Sequence, residues 1–152
     1  MHRLVTMQKV ITFLGTTLPR SEGKPIMTNY QYKDHIYSGH VFPEALRQFT
    51  SYDQMLVFVT KEAWEVSWPV LAALNDDRIE PVLIPLGETT AEMWTIFDEI
   101  LDRVDEGDSV IFDITHGLRS TPFLVFLFAA FLKFARSVNI EAVYYGAYEL
   151  GD

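Results

Sequence analysis

One segment of the sequence, from Asp113 to Ser120, concentrates side chains that can bind or transform an anion. In chain order it supplies a carboxylate, a hydroxyl, an imidazole, a glycine, a guanidinium and a second hydroxyl, at Asp113, Thr115, His116, Gly117, Arg119 and Ser120. Thr121 and Pro122 follow as an N-cap and a first helical residue. The free N–H groups at such a helix start favour a neighbouring negative charge. The segment therefore predicts a phosphate-binding loop.

A second candidate loop follows the first apolar segment, where Gly15 precedes Thr16 and Thr17. Glycine lets the backbone turn tightly and approach a ligand, and the two threonines add hydroxyl donors. An ordinary turn would have the same composition. No G-x-G-x-x-G motif is present, which argues against a dinucleotide cofactor.

Enzymatic interpretations of these side chains have less support. Ser120, His116 and Asp113 are the residue types of a hydrolase triad, but no G-x-S-x-G elbow presents the serine. His35 and His40 lack the H-E-x-x-H pattern or carboxylate cluster of a metal site. We expect no metal and no cofactor. Asp113 is expected to accept hydrogen bonds from the N–H groups of its own loop.

Strands and helices alternate along the chain, which predicts one domain over residues 1–152. The expected fold is α/β and Rossmann-like, with a mostly parallel central sheet and helices on both faces. The expected strands are 8–14, 54–59, 81–85, 109–113 and 141–149. The expected helices start at Pro43, after Thr60 (with a break at Pro69), after Thr89 with Glu92 in a capping box, and at Pro122.

Aromatic residues outside the strands suggest further contacts. Residues 16–39 are expected to form a long polar loop, which in a compact domain is usually functional or disordered. Its tyrosines at positions 30, 32 and 37 could line a pocket or a partner surface. Trp64 and Trp68, one helical turn apart, could stack a nucleobase, although aromatic residues at this spacing more often belong to the core.

Composition narrows the class of ligand. The net charge of −9 argues against long nucleic acid, which needs a broad basic face. The chain has no cysteine, which is typical of a reduced, cytoplasmic setting. Its longest apolar run, residues 122–132, is too short to span a membrane. We therefore expect a cytoplasmic protein with a small anionic ligand and no membrane partner.

Four segments together resemble the CRISPR-associated Rossmann-fold (CARF) domain, and they are residues 14–17, 41–46, 57–60 and 113–120. The last is the most specific, because it matches the D-I-T-H-G-[LF]-R-S loop of one branch of the family. The first, an L-G-T turn, would be weak alone. The resemblance runs from Val10 to Tyr148, nearly the whole chain.

The resemblance implies a homodimer that binds cyclic tetra- or hexa-adenylate across its two-fold axis. A ring with internal two-fold symmetry fits a pocket built twice from one surface. In the family, the turns after the first and fourth strands contact the ligand. Carried over to this chain, those contacts fall on Gly15, Thr16, Thr17, Thr115, His116, Gly117, Arg119 and Ser120.

Three functions remain open at this point. Family members usually carry an effector after this domain, so the chain, which ends at Asp152, is expected to be a stand-alone protein or a sensor cut from a longer one. The first function is a sensor of type III CRISPR signalling that controls an effector. The second is a metal-independent ring nuclease giving linear products with a 2′,3′-cyclic phosphate. There His116 would move a proton, and Thr16, Thr17 or Ser120 would hold the phosphate. The third is an unrelated small α/β hydrolase.

Overall fold

The computed structural model describes residues 7–15, 20–21, 24–25, 28–32, 35–113, 129–131 and 137–144. In chain order its elements are β1 (Gln8–Leu14), β2 (Arg20–Ser21), β3 (Lys24–Pro25), β4 (Thr28–Tyr32), β5 (His35–Gly39), α1 (Phe42–Phe49), β6 (Gln54–Val59), α2 (Lys61–Val66), α3 (Trp68–Ala72), β7 (Ile79–Leu83), α4 (Thr90–Arg103), β8 (Ser109–Asp113) and β9 (Asn139–Tyr144).

Five strands form a central sheet in the order β7-β6-β1-β8-β9, and every neighbouring pair is parallel. The chain builds outward from β1 through β6 to β7, and then adds β8 and β9 on the other side of β1. The strand order therefore reverses between β1 and β8. Open α/β sheets bind ligands outside the carboxyl ends of the strands at such a point. The predicted Rossmann-like α/β fold is confirmed.

Helices cover both faces of the sheet, because alternate side chains of each strand point to opposite sides. One core cluster joins Ile11 of β1 to Ile96 of α4. The other joins Val10 of β1 to Leu46 of α1 and Leu71 of α3. Strands buried on both faces read as nearly continuous apolar runs, which is why β1, β6 and β8 were predicted with the boundaries they have.

Side-chain caps set two of the helix starts. The Thr60 hydroxyl accepts a hydrogen bond from the Ala63 N–H at 3.2 Å, and the Thr89 hydroxyl accepts one from the Glu92 N–H at 3.1 Å. The predicted capping box is half formed, since the Glu92 carboxylate accepts from the Gly87 N–H at 3.0 Å. The predicted helix break near Pro69 is also present, with Ser67 between α2 and α3.

Two strand boundaries differ from the prediction. β7 spans Ile79–Leu83 where residues 81–85 were expected, because its parallel register pairs Met55 with Ile79 and Val59 with Leu83. Pro81 lies within this strand, which is at the edge of the sheet, where proline is tolerated. β9 begins at Asn139, before the expected start at 141. Residues 145–152 and most of the predicted last helix lie outside the described residues, although 129–131 are helical.

The prediction of a long polar loop over residues 16–39 is wrong for its second half. β4 and β5 form an antiparallel hairpin in which Tyr30 is opposite Tyr37. The Gln48 side chain of α1 donates a hydrogen bond to the Ser38 carbonyl at 2.6 Å, which attaches the hairpin to that helix. The alternation of tyrosine with polar residues was the available signal. It was obscured because the connecting residues 33–34 lack the glycine typical of two-residue hairpin turns.

A partly exposed cluster of charged side chains lies at the amino ends of the strands, opposite the switch point. The Asp76 carboxylate accepts hydrogen bonds from Arg78 at 2.9 Å, from the Tyr52 hydroxyl at 2.7 Å and from Arg47 at 3.3 Å. The Arg78 guanidinium also lies over the Tyr52 ring, 4.3 Å from its centroid. Hydrogen bonding to Arg78 holds the pKa of Asp76 well below its usual range. Burial, together with the bond to Asp76, raises the pKa of Tyr52.

The lowered pKa of Asp76 predicts a specific loss of stability in acid. Because the folded-state pKa lies below the unfolded value of 3.8, Asp76 stabilises the fold above that pH and stops doing so as pH falls towards the folded value. We expect the free energy of unfolding to fall less steeply below about pH 4 in Asp76→Asn than in the unchanged protein. Urea unfolding at a series of pH values measures this slope, and equal slopes in both proteins would refute the assignment.

Candidate functional site

A buried hydrogen bond joins β1 to β8 near their carboxyl ends. Thr12 and Asp113 are paired in the register of the two strands, and the Thr12 hydroxyl donates to the Asp113 carboxylate at 2.6 Å. Both residues are fully buried. A buried carboxylate is costly unless it is hydrogen-bonded, so this bond helps to retain Asp113 there. It ties the start of the loop after β8 to the strand that leads into the other predicted loop.

The sequence pattern did not predict a role for Thr12. Asp113 was expected to bond the N–H groups of its own loop, and residues 114–128 lie outside the described residues. One partner of Asp113 is Thr12, on the neighbouring strand β1. A hydroxyl inside the apolar β1 segment was the available signal, but its pairing with Asp113 depends on the register between strands distant in the chain.

A second buried hydroxyl makes a hydrogen bond to the residue that follows β1. Ser67, between α2 and α3, is fully buried, and its hydroxyl donates to the Gly15 carbonyl at 2.7 Å. The break between the two helices therefore contacts the first residue of the predicted ligand loop. Ser67 was also missed, because the helix break was predicted from Pro69 and the serine had no evident partner in the sequence.

The two tryptophans on either side of Ser67 stack on each other. The ring centroids of Trp64 and Trp68 are 5.8 Å apart, with an angle of 25° between the planes. Trp68 is half-buried and packs against the core cluster on that face. Trp64 remains 42% exposed. Trp68 therefore belongs to the core, which is the more frequent role of aromatic residues at this spacing, whereas Trp64 does not.

Most of the predicted site residues lie outside the described residues, and they are Thr16, Thr17, Thr115, His116, Gly117, Arg119 and Ser120. The structure describes the points where their loops begin. Gly15 follows β1 and Asp113 ends β8, two adjacent parallel strands at the reversal of strand order, and each residue accepts a hydrogen bond from a buried hydroxyl. Both predicted loops therefore leave the sheet from neighbouring, anchored positions. Tyr37 is half-buried, whereas the side chains of Tyr30 and Tyr32 are not described.

The described residues contain neither a metal-binding cluster nor a membrane-spanning helix. Within them, no group of three or more histidine, aspartate or glutamate side chains is arranged to hold a metal ion. The His40 ring lies 3.0 Å from the Glu44 carboxylate, which also accepts from the His40 backbone N–H. Over the same part of the chain, none of the helices combines the length and apolar character needed to cross a membrane.

Comparison with known proteins gives one partial similarity. A stretch of 67 residues is 31% identical to the CRISPR-associated protein MJ1674 of Methanocaldococcus jannaschii. The stretch covers 42% of this chain and 11% of the relative, so the chain corresponds to a small part of that protein. No family model matches the chain. Part of the chain is therefore similar to a protein associated with CRISPR.

Proposed function

We propose that this chain is a dimeric sensor domain of type III CRISPR antiviral signalling. It binds a cyclic oligoadenylate, a tetra- or hexa-adenylate, and thereby controls an effector. The observation that carries the proposal is the position of the two loop origins. Gly15 follows β1 and Asp113 ends β8 at the switch point of the sheet, where this class of fold binds ligands. The partial similarity to a CRISPR-associated protein supports the same biological setting.

The chemistry of the two loops supports a phosphate ligand. The loop after β8 contributes Arg119, whose planar guanidinium suits a phosphate group, and His116, which can donate a hydrogen bond. The loop after β1 adds the Thr16 and Thr17 hydroxyls. With a net charge of −9, the chain favours a compact anion held by a few local cations over a long polymer.

Ligand binding would act on an effector through the two loops. A ring held across a two-fold axis contacts both subunits, so it favours whichever arrangement of the dimer brings the four loops together. An effector coupled to the subunits would respond to this change in the arrangement of the dimer. The size of the response is limited by the difference in ligand affinity between the arrangement with the loops together and the one with them apart.

Alanine variants of the second loop test the proposal. We expect Arg119→Ala and His116→Ala each to weaken binding of cyclic tetra- or hexa-adenylate by at least about tenfold, the effect of one lost hydrogen bond between charged groups. Isothermal titration calorimetry measures the affinity. Arg103→Ala is the matched control, because Arg103 ends α4 and is paired there with Glu99. Unchanged affinity in both loop variants would contradict the site.

The same samples distinguish a sensor from a ring nuclease. Cyclic oligoadenylate incubated with the protein in the presence of a chelator is separated by chromatography. A sensor that only binds leaves the ring intact over hours. Linear products ending in a 2′,3′-cyclic phosphate would instead assign cleavage to this chain, without a metal ion.

A further inference from the structure

Trp64 lies in α2, the helix that follows β6, and its side chain is exposed. The break after this helix contacts the residue that follows β1, because the buried Ser67 hydroxyl donates a hydrogen bond to the Gly15 carbonyl at 2.7 Å. Trp64 is three residues before Ser67, which is nearly one helical turn. The indole is therefore attached to the element that holds the first ligand loop.

The orientation of the Trp64 ring is set before any ligand binds. Trp68 packs against the core and stacks on Trp64 with centroids 5.8 Å apart and planes at 25°. Such a stack covers one face of an indole, and Trp64 is still 42% exposed. An aromatic ring held in one orientation loses little conformational entropy when a second flat group stacks on it.

The other exposed tryptophan has a different setting. Trp94 is 61% exposed on α4, which packs on the opposite face of the sheet through Ile96. It meets Phe97 edge-on, with centroids 5.6 Å apart and planes at 78°. The face of the sheet that α4 covers is opposite the one covered by α3, the helix that begins at Trp68. Trp94 therefore provides a matched control of the same residue type.

We propose that Trp64 is a stacking platform for an adenine base of the bound ligand, with Trp68 as its support. This inference rests on the proposed function, since it assigns the base-binding part of the same site. The loops after β1 and β8 would hold phosphates, and Trp64 would add affinity for the purine ring. Nucleobases stack on aromatic side chains without a requirement for hydrogen bonds, so this contact favours large flat bases over small ones.

Tryptophan fluorescence and affinity together test the inference. Titration with cyclic tetra- or hexa-adenylate is expected to quench part of the emission of the unchanged protein. In Trp64→Ala we expect that quenching to be lost and the affinity to fall by about 10- to 100-fold, the range for one base–aromatic stack. Trp64→Phe is expected to keep most of the affinity, and Trp94→Ala to keep both the affinity and the quenching.

The outcomes separate this inference from the proposed function. If the unchanged protein binds the ring and Trp64→Ala binds it equally well, the stacking platform is wrong and the sensor remains. If the unchanged protein binds neither ring, both proposals are overturned. Size-exclusion chromatography with light scattering measures the oligomeric state of both variants. If Trp64→Ala is a monomer while Trp94→Ala remains a dimer, Trp64 is a subunit contact and the stacking platform is overturned.

Discussion

Replacing Asp113 with alanine should weaken binding of cyclic oligoadenylate by at least about tenfold, the effect of one lost hydrogen bond to a charged group, because the origin of the second loop would no longer be fixed. It should also lower the free energy of unfolding by about 1–3 kcal/mol, because the Thr12 hydroxyl would be left buried without its partner. Both effects follow from the 2.6 Å bond between Thr12 and Asp113, which ties the origin of the second loop to β1. Calorimetry and urea unfolding measure the two quantities.

Thr12→Val is the control for this prediction, because it removes the hydroxyl with little change of shape. We expect it to lower stability, while leaving more of the affinity than Asp113→Ala does, since the carboxylate itself remains. The loss of stability in the double variant should be smaller than the sum of the two single losses. It should be close to the loss in Asp113→Ala alone, because both changes break the same bond. Full additivity of the two losses of stability would show that the bond does not stabilise the fold, and an unchanged affinity in Asp113→Ala would show that it does not position the loop.

The largest loss of stability is expected from Lys9→Met. The Lys9 ammonium is 4% exposed and lies 2.8 Å from the Asp108 carboxylate, which is 2% exposed. Lys9 also donates to the Arg103 carbonyl at 2.7 Å at the end of α4. Removing the ammonium leaves a buried carboxylate without its counter-ion, which costs about 3–5 kcal/mol. Urea unfolding of the variant and of the unchanged protein at neutral pH measures the difference.

Two further variants test whether the effect of Lys9→Met comes from the burial and the charge of the pair. Lys9→Met combined with Asp108→Asn should recover part of the loss, because the amide is uncharged and its oxygen can still accept from the Asp105 N–H. Lys61→Met removes the same charge from an exposed position on α2, and its effect should stay within about 0.5 kcal/mol. A Lys9→Met variant as stable as Lys61→Met would contradict the role given to the pair.

Local patterns were sufficient for most of the fold. The apolar runs of β1, β6 and β8 predicted strands with the observed boundaries, and the Thr60 and Thr89 caps predicted two helix starts. The hairpin of β4 and β5 was missed, because its turn lacks glycine and its polar residues resemble a loop. The register of β7 was displaced because pairing with β6, and not local composition, sets where an edge strand begins.

The residues that anchor the proposed site were harder to predict than the loops expected to form it. Gly15 and Asp113 were recognisable from their places after apolar strands. Thr12 and Ser67 were not, because each acts through one hydrogen bond to a residue far away in the chain. The exposure of Trp64 was likewise invisible, since the spacing of Trp64 and Trp68 is equally compatible with a buried pair. Pairing between distant segments is the information that a single sequence does not display.

The stoichiometry of ligand binding tests the central claim most directly. Two copies of the loops after β1 and β8, one from each subunit, should form a single site for one ring. Titration of the unchanged protein with cyclic tetra- and hexa-adenylate should therefore saturate at about one ring per two chains, with light scattering showing a dimer. Saturation at one ring per chain, or no binding of either ring at micromolar concentrations, would contradict the account.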